Sequence, residues 1–197
     1  MLKRNRRLRQ SPSIRALVSE NQLSINDLVL PLFVCEGTQV KESIDAMPGC
    51  FRMSLDLLKE EVKTIWSLGI KAVLIFVKVV DNLKDNRGTE AINPEGLMQR
   101  AVMEIKSTVP EMVVMTDVAL DPYSSFGHDG IVENNKILND PTIEILAKMA
   151  LSHAHAGADF VAPSDMMDGR VLSIRTCLLY TSPSPRDRTR SRMPSSA

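Results

Sequence analysis

Four short apolar runs recur along the chain at intervals of roughly forty residues, the length of one strand–helix unit. They are Leu28–Val34, Ala72–Val77, Val113–Leu120 and Ala158–Pro163. Each is rich in branched residues and apolar on both faces, the pattern of parallel strands covered on both sides. Helical patterns lie between them. Ser54 is placed to cap a helix carrying Leu57, Val62, Ile65 and Trp66, which Gly69 can end. Asn93-Pro94 opens a second, with Leu97, Ala101, Val102 and Ile105 on one face and Pro110 as its stop. Asp140-Pro141 opens a third that Gly157 can close, with Ile143, Leu146, Met149 and Ala150 facing inward. Alternating strands and helices predict an α/β fold on a parallel sheet. It can be half of an eight-stranded barrel or a small doubly wound sheet. No G-x-G-x-x-G follows the first strand and no G-x-x-x-x-G-K occurs, so nucleotide binding has no support and the half barrel is favoured.

Charge divides the chain unevenly. The first ten residues carry +5 and residues 177–197 carry +3 in a chain of zero net charge, so residues 11–176 carry −8. An acidic body argues against nucleic acid as the partner. No apolar run reaches the length that spans a bilayer, and the N-terminus lacks the apolar stretch of a secretory signal. Cys35, Cys50 and Cys177 are odd in number and widely spaced, which suits a reducing cytoplasm and neither a disulfide framework nor zinc spacing. The expected organisation is a basic arm over 1–27, a partial barrel of about four units over 28–176, and a tail over 177–197. That tail, dense in Ser, Pro and Arg, reads as disordered and resembles translated adaptor sequence, so it stays outside the fold reading.

In a barrel the reacting groups collect at the C-terminal ends of the strands. Asp117 interrupts the third apolar run, where a buried carboxylate needs a cation or hydrogen-bond donors to meet it. It either faces the barrel mouth or caps loop amides. Asp121, His128 and Asp129 follow on a glycine-flanked loop. These hard ligands suit Mg²⁺ and not zinc, although from spacing alone a solvated acidic loop is favoured over a metal site. Ser164-Asp165 and Asp168-Gly169-Arg170 lead into a helix whose start could hold an anionic group, or Asp168 could be an ordinary cap. His153 and His155 lie two apart on a helix, face different sides and read as structural. Lys78 sits just past the second run. As an imine-forming nucleophile it would need a desolvated pocket, and Asp81, Lys84 and Asp85 close by favour a solvated lysine.

The run Val161–Val171 (VAPSDMMDGRV) resembles a signature of the porphobilinogen synthase (5-aminolevulinate dehydratase) family. Asp117–Gly130 (DVALDPYSSFGHDG) is similar to its metal-loop region. Leu30–Val34, Met47-Pro48-Gly49 and Asn93–Leu97 with Gln99-Arg100 fall in the order that family shows, and the likeness covers about residues 4–175. The resemblance implies a hydro-lyase of tetrapyrrole (haem and chlorophyll) biosynthesis that condenses two 5-aminolevulinate molecules into porphobilinogen. It implies a (β/α)8 barrel, assembled as a cytoplasmic homo-octamer, with a basic N-terminal arm that embraces a neighbouring subunit. Asp117 and Ser164 match active-site positions beside two imine-forming lysines. Ala119, Asp121 and Asp129 stand where the zinc-dependent branch has cysteines. That points to Mg²⁺ or another divalent or monovalent ion, with Asp121 and Asp129 as candidate ligands.

Both imine-forming lysines and the arginines that hold substrate carboxylates belong to the part of the family beyond Arg175, with no counterpart in this sequence. The 197-residue polypeptide is therefore expected to be inactive alone. Two readings compete with a portion of a lyase. One is a non-catalytic protein that associates with full-length synthase. The other is an aldolase-type barrel that would use Lys78.

Overall fold

The computed structural model describes residues 5–181. In chain order the elements are α1 (Pro12–Leu17), β1 (Val29–Cys35), β2 (Lys41–Ser43), β3 (Phe51–Met53), α2 (Leu55–Ser67) and β4 (Ala72–Lys78). Then come α3 (Leu97–Thr108), β5 (Val113–Val118), β6 (Ile131–Glu133), β7 (Lys136–Leu138), α4 (Asn139–Ala156), β8 (Phe160–Pro163) and α5 (Arg170–Thr181). The four apolar runs become β1, β4, β5 and β8, adjacent and parallel in the order β2-β3-β1-β4-β5-β8. β3 adds to β1 in parallel and β2 to β3 antiparallel. β6 and β7 form a separate hairpin.

One face of the sheet carries most of the core. Leu32 and Val34 of β1, Val73 and Ile75 of β4 and Val114 of β5 are buried against Leu58, Val62 and Ile65 of α2 and Ala101, Val102 and Ile105 of α3. A second cluster joins Val118 to Leu146, Met149 and Ala150 of α4, Met167 and Ile174. The opposite face is only partly covered. Registers Phe33↔Phe76, Leu74↔Met115 and Asp117↔Ala162 put these side chains on it, and Phe33, Leu74, Phe76 and Met115 are half-buried. The expectation of strands buried on both faces is therefore corrected: among the described residues only the helix side is filled.

Local signals hold with exceptions. Ser54 does precede α2, but its hydroxyl accepts from Val40 N (3.0 Å) and donates to Asp56 Oδ1 (2.5 Å) instead of capping helix amides. Asn93-Pro94 makes a turn, with Asn93 Oδ1 accepting from Glu95 N at 3.0 Å, and α3 starts only at Leu97. α4 begins at Asn139 and ends at Gly157, whose φ of +110° is the left-handed stop that a glycine supplies.

In the basic N-terminal segment, α1 has Ser11 as its cap and buries no residue, and Leu17 and Leu23 stay exposed. Residues 1–4 lie outside the described residues. At the other end α5 runs through Thr181, past the boundary set at Cys177. Cys177 and Leu178 pack against the second cluster, and that packing carries the helix on. The rest of the expected tail, 182–197, lies outside the described residues.

Candidate active site

Asp117 sits near the end of β5 on the face turned away from the helices, with 9% of its surface exposed. The β5–β8 register sets Val118 opposite Pro163. The next residue, Ser164, donates its hydroxyl to Asp117 Oδ1 at 2.6 Å. Burial raises the Asp117 pKa. The Ser164 hydrogen bond opposes that shift, and the charges of Asp121, Asp129 and Asp165 add to it. A carboxyl whose burial favours its protonated form, with one oriented donor, can serve as a proton donor or acceptor. Asp117 Oδ1 thus takes a side-chain hydroxyl as its partner at the end of the strand.

Asp121 and Asp129 stand on the loop between β5 and β6. Burial and then the Asp129 charge raise the Asp121 pKa. His128 Nδ1 is buried without a hydrogen-bond partner. The oxygen donors suit a hard cation. Among the described residues, however, no group of three His, Cys, Asp or Glu side chains is arranged to hold a metal. Asp121 and Asp129 by themselves do not complete a metal site among the described residues, and the chemistry is derived without one.

Neighbouring backbone fixes both ends of this loop. Asp85 N donates to Tyr123 O (3.1 Å) and Ser125 N to Asp85 O (3.1 Å). Asn86 forms two bonds with Val132, Nδ2 to its carbonyl and Oδ1 from its amide, each 2.9 Å. Thr142 Oγ1 accepts from Ile131 N at 3.0 Å. The sequence gives Asp85, Asn86 and Thr142 no anchoring role, since no local pattern reveals contacts between separate loops. The β6–β7 hairpin was also missed, although Asn134-Asn135 is a hairpin signal; both residues take positive φ, 49° and 57°.

Beyond Ser164, Asp165 and not Asp168 serves the loop. Its Oδ1 accepts from Met167 N at 2.7 Å. Its Oδ2 lies 3.1 Å from Arg170 Nε, an ion pair whose N–H is not aimed for a hydrogen bond. Asp168 is exposed and its amide donates to Asn139 Oδ1. Lys78 is 54% exposed and ion-paired with Glu42 at 3.2 Å, which is no setting for a lysine nucleophile. It borders a cavity of about 250 Å³ at the ends of β1 and β4, lined also by Phe33, Phe76, Arg52 and Asp121. His153 is buried, its Nδ1 3.0 Å from Thr116 Oγ1, in keeping with a structural role.

Comparisons with known proteins bear on the same span. The sequence model of the family described as delta-aminolevulinic acid dehydratase matches residues 2–183. The chain is similar to delta-aminolevulinic acid dehydratase of Methanothermus sociabilis, 51% identical over 172 residues, covering 87% of this chain and 53% of that protein. The Bacillus subtilis protein of that name is 46% identical over 175 residues, covering 89% and 53%. A chloroplastic relative from Hordeum vulgare is 50% identical over 180 residues, covering 90% and 42%. A crystal structure of the Toxoplasma gondii ME49 dehydratase with its reaction product porphobilinogen matches with a TM-score of 0.87 and 47% identity, over 90% of this chain and 51% of that one. The chain thus spans about half the length of these relatives.

Proposed function

Since the chain belongs to the delta-aminolevulinic acid dehydratase family, we propose that residues 28–176 are the N-terminal half of a (β/α)8 barrel that makes porphobilinogen. In this reading two 5-aminolevulinate molecules condense with loss of water on a site completed by a second half-barrel. The observation that carries it is the Asp117–Ser164 pair, 2.6 Å apart at the ends of adjacent parallel strands. The half-covered sheet face with Phe33 and Phe76 becomes the barrel interior. The two imine-forming lysines come from the second half.

An imine makes the adjacent carbon acidic, and dehydration needs a group that takes a proton from carbon and returns one to a departing oxygen. Asp117 fits that work because burial raises its pKa, favouring the protonated form, while the Ser164 hydroxyl supports the ionised one. Ser164 holds the carboxylate oxygen in one orientation and so limits which proton it reaches. Asp121 and Asp129 add negative charge beside an amine-bearing substrate and favour its cationic form. Mg²⁺ or another hard ion remains an expectation from the resemblance, with these two carboxylates as its protein contacts.

The exposed α1 and its basic neighbours fit an arm that packs on another subunit of a homo-octamer. A cytoplasmic setting is the companion proposal; no helix of the described residues is long and apolar enough to cross a membrane, and the Hordeum vulgare relative is chloroplastic.

A genetic test is direct. A bacterial strain lacking its own 5-aminolevulinate dehydratase receives either the 197-residue chain or a hybrid. The hybrid joins residues 1–176 to the unmatched remainder of the Bacillus subtilis relative. The proposal expects growth without added haem from the hybrid and none from the chain alone. A folded hybrid that never supports growth overturns it.

A further inference from the structure

Asp121 and Asp129 lie on one loop yet are anchored by two consecutive residues of another. Asp85, through its backbone, pairs with Tyr123 and Ser125 just after Asp121. Asn86, through its side chain, takes both the amide and the carbonyl of Val132 just after Asp129. Between these anchors Ser125, Phe126 and Gly127 are exposed. A segment containing Gly127 and Gly130 has little intrinsic preference for one shape, so the separation of the two carboxylates follows from where its ends are tied. The tie at Asp85 is reinforced locally: its Oδ1 accepts from Arg87 N (2.8 Å) and Thr89 N (3.0 Å). Gly88, at φ +60°, is close enough to Leu120 that an added Cβ would lie 2.9 Å from Cδ2. The tie at Asn86 has no such redundancy, because among the described residues no other side chain hydrogen-bonds the Val132 backbone. Replacing it leaves the Val132 N–H and C=O to find water.

We propose that Asn86 is a positioning residue: its two bonds to Val132 hold Asp129 at a fixed distance from Asp121 across the mouth of the strands. The assignment rests on the reading of Asp121 and Asp129 as functional carboxylates, but its geometry is tested without catalysis. The side-chain amide of Asn86 matches its N–H and C=O to the backbone C=O and N–H of Val132, so Asn86→Ala removes both bonds and Asn86→Asp removes the donor alone. Thr142 holds Ile131 independently, so the hairpin stays folded when Asn86 is replaced.

The test is hydrogen exchange on the 197-residue chain, read by mass spectrometry in peptides covering 119–130, 131–138 and the helices α2 and α3. Asn86→Ala is expected to raise exchange about tenfold or more in both 119–130 and 131–138, and to leave α2 and α3 unchanged. Asn86→Asp, keeping the acceptor, gives a smaller rise in the same two peptides. A rise confined to 131–138, or spread evenly over the chain, overturns the assignment. The hybrid enzyme supplies the readout that a purely structural residue would not move. There Asn86→Ala is expected to lower kcat about tenfold with KM within about twofold, and an unchanged kcat contradicts it. A hybrid inert before any substitution sinks the functional reading and leaves the exchange result to decide the clasp.

Discussion

At the scale of single residues, the structure contains two titratable groups whose burial works in opposite senses. Asp117 has a raised pKa, so its protonated form suits the fold. The stability tied to that proton is present below the unfolded carboxylate pKa and is lost as pH rises through the folded value. Asp117→Asn keeps the shape and an acceptor for Ser164 while removing the buried charge. It is expected to stabilise the chain by about 1 kcal/mol at pH 7 and not at pH 3, the trade common at functional carboxylates. Denaturant melts at the two pH values check this. His153 runs the other way: burial lowers its pKa to about 4. Thr116 Oγ1 has the Phe160 carbonyl as its acceptor at 3.5 Å, which assigns the proton to His153 Nδ1 and leaves Nε2 bare and unpartnered. Its neutral form fits, so the contribution is complete above the unfolded value of about 6.5 and disappears as pH falls toward 4. The advantage of the natural chain over His153→Gln should shrink by about 3 kcal/mol between pH 7 and pH 4. An advantage independent of pH would contradict the burial account.

At the scale of elements, legibility in the sequence follows how local the physics is. β1, β4, β5 and β8 were readable because an apolar run bounded by turn signals is a property of consecutive residues, and α4 was readable from Asp140-Pro141 and Gly157. Asp117 and Ser164 were legible as separate candidates, and their 2.6 Å contact came from the β5–β8 register. The Asp85, Asn86 and Thr142 ties were not legible, because each joins segments far apart in sequence. β2 and β3 escaped because three-residue strands carry too little periodicity to see. The β6–β7 turn could have been found, since two left-handed asparagines between short alternating runs mark a hairpin. Gly accepts positive φ more readily than Asn, so Asn135→Gly is expected to stabilise the hairpin by about 0.5 kcal/mol and Asn135→Val to destabilise it by more. Thermal melts of both variants measure the pair, and equal midpoints would contradict the turn assignment.

At the scale of the whole molecule, the sheet ends at β8, whose second edge is unpaired among the described residues. Phe160 is 57% exposed there, and Val171 and Leu172 on α5 are exposed as well. Open edges with apolar side chains pair with other chains. The 197-residue polypeptide is therefore expected to self-associate at micromolar concentration, and Phe160→Lys to reduce that. Light scattering reads it, and a strictly monomeric chain would contradict the half-barrel reading. The same flank is where a second half-barrel would dock in the hybrid. The most direct measurement is the steady-state rate of porphobilinogen formation from 5-aminolevulinate by the purified hybrid, its Asp117→Asn variant and the 197-residue chain. The account predicts turnover by the hybrid, a loss of about 10²-fold or more in the variant, and no product from the chain alone. Full activity in Asp117→Asn, or porphobilinogen from the chain by itself, would contradict it.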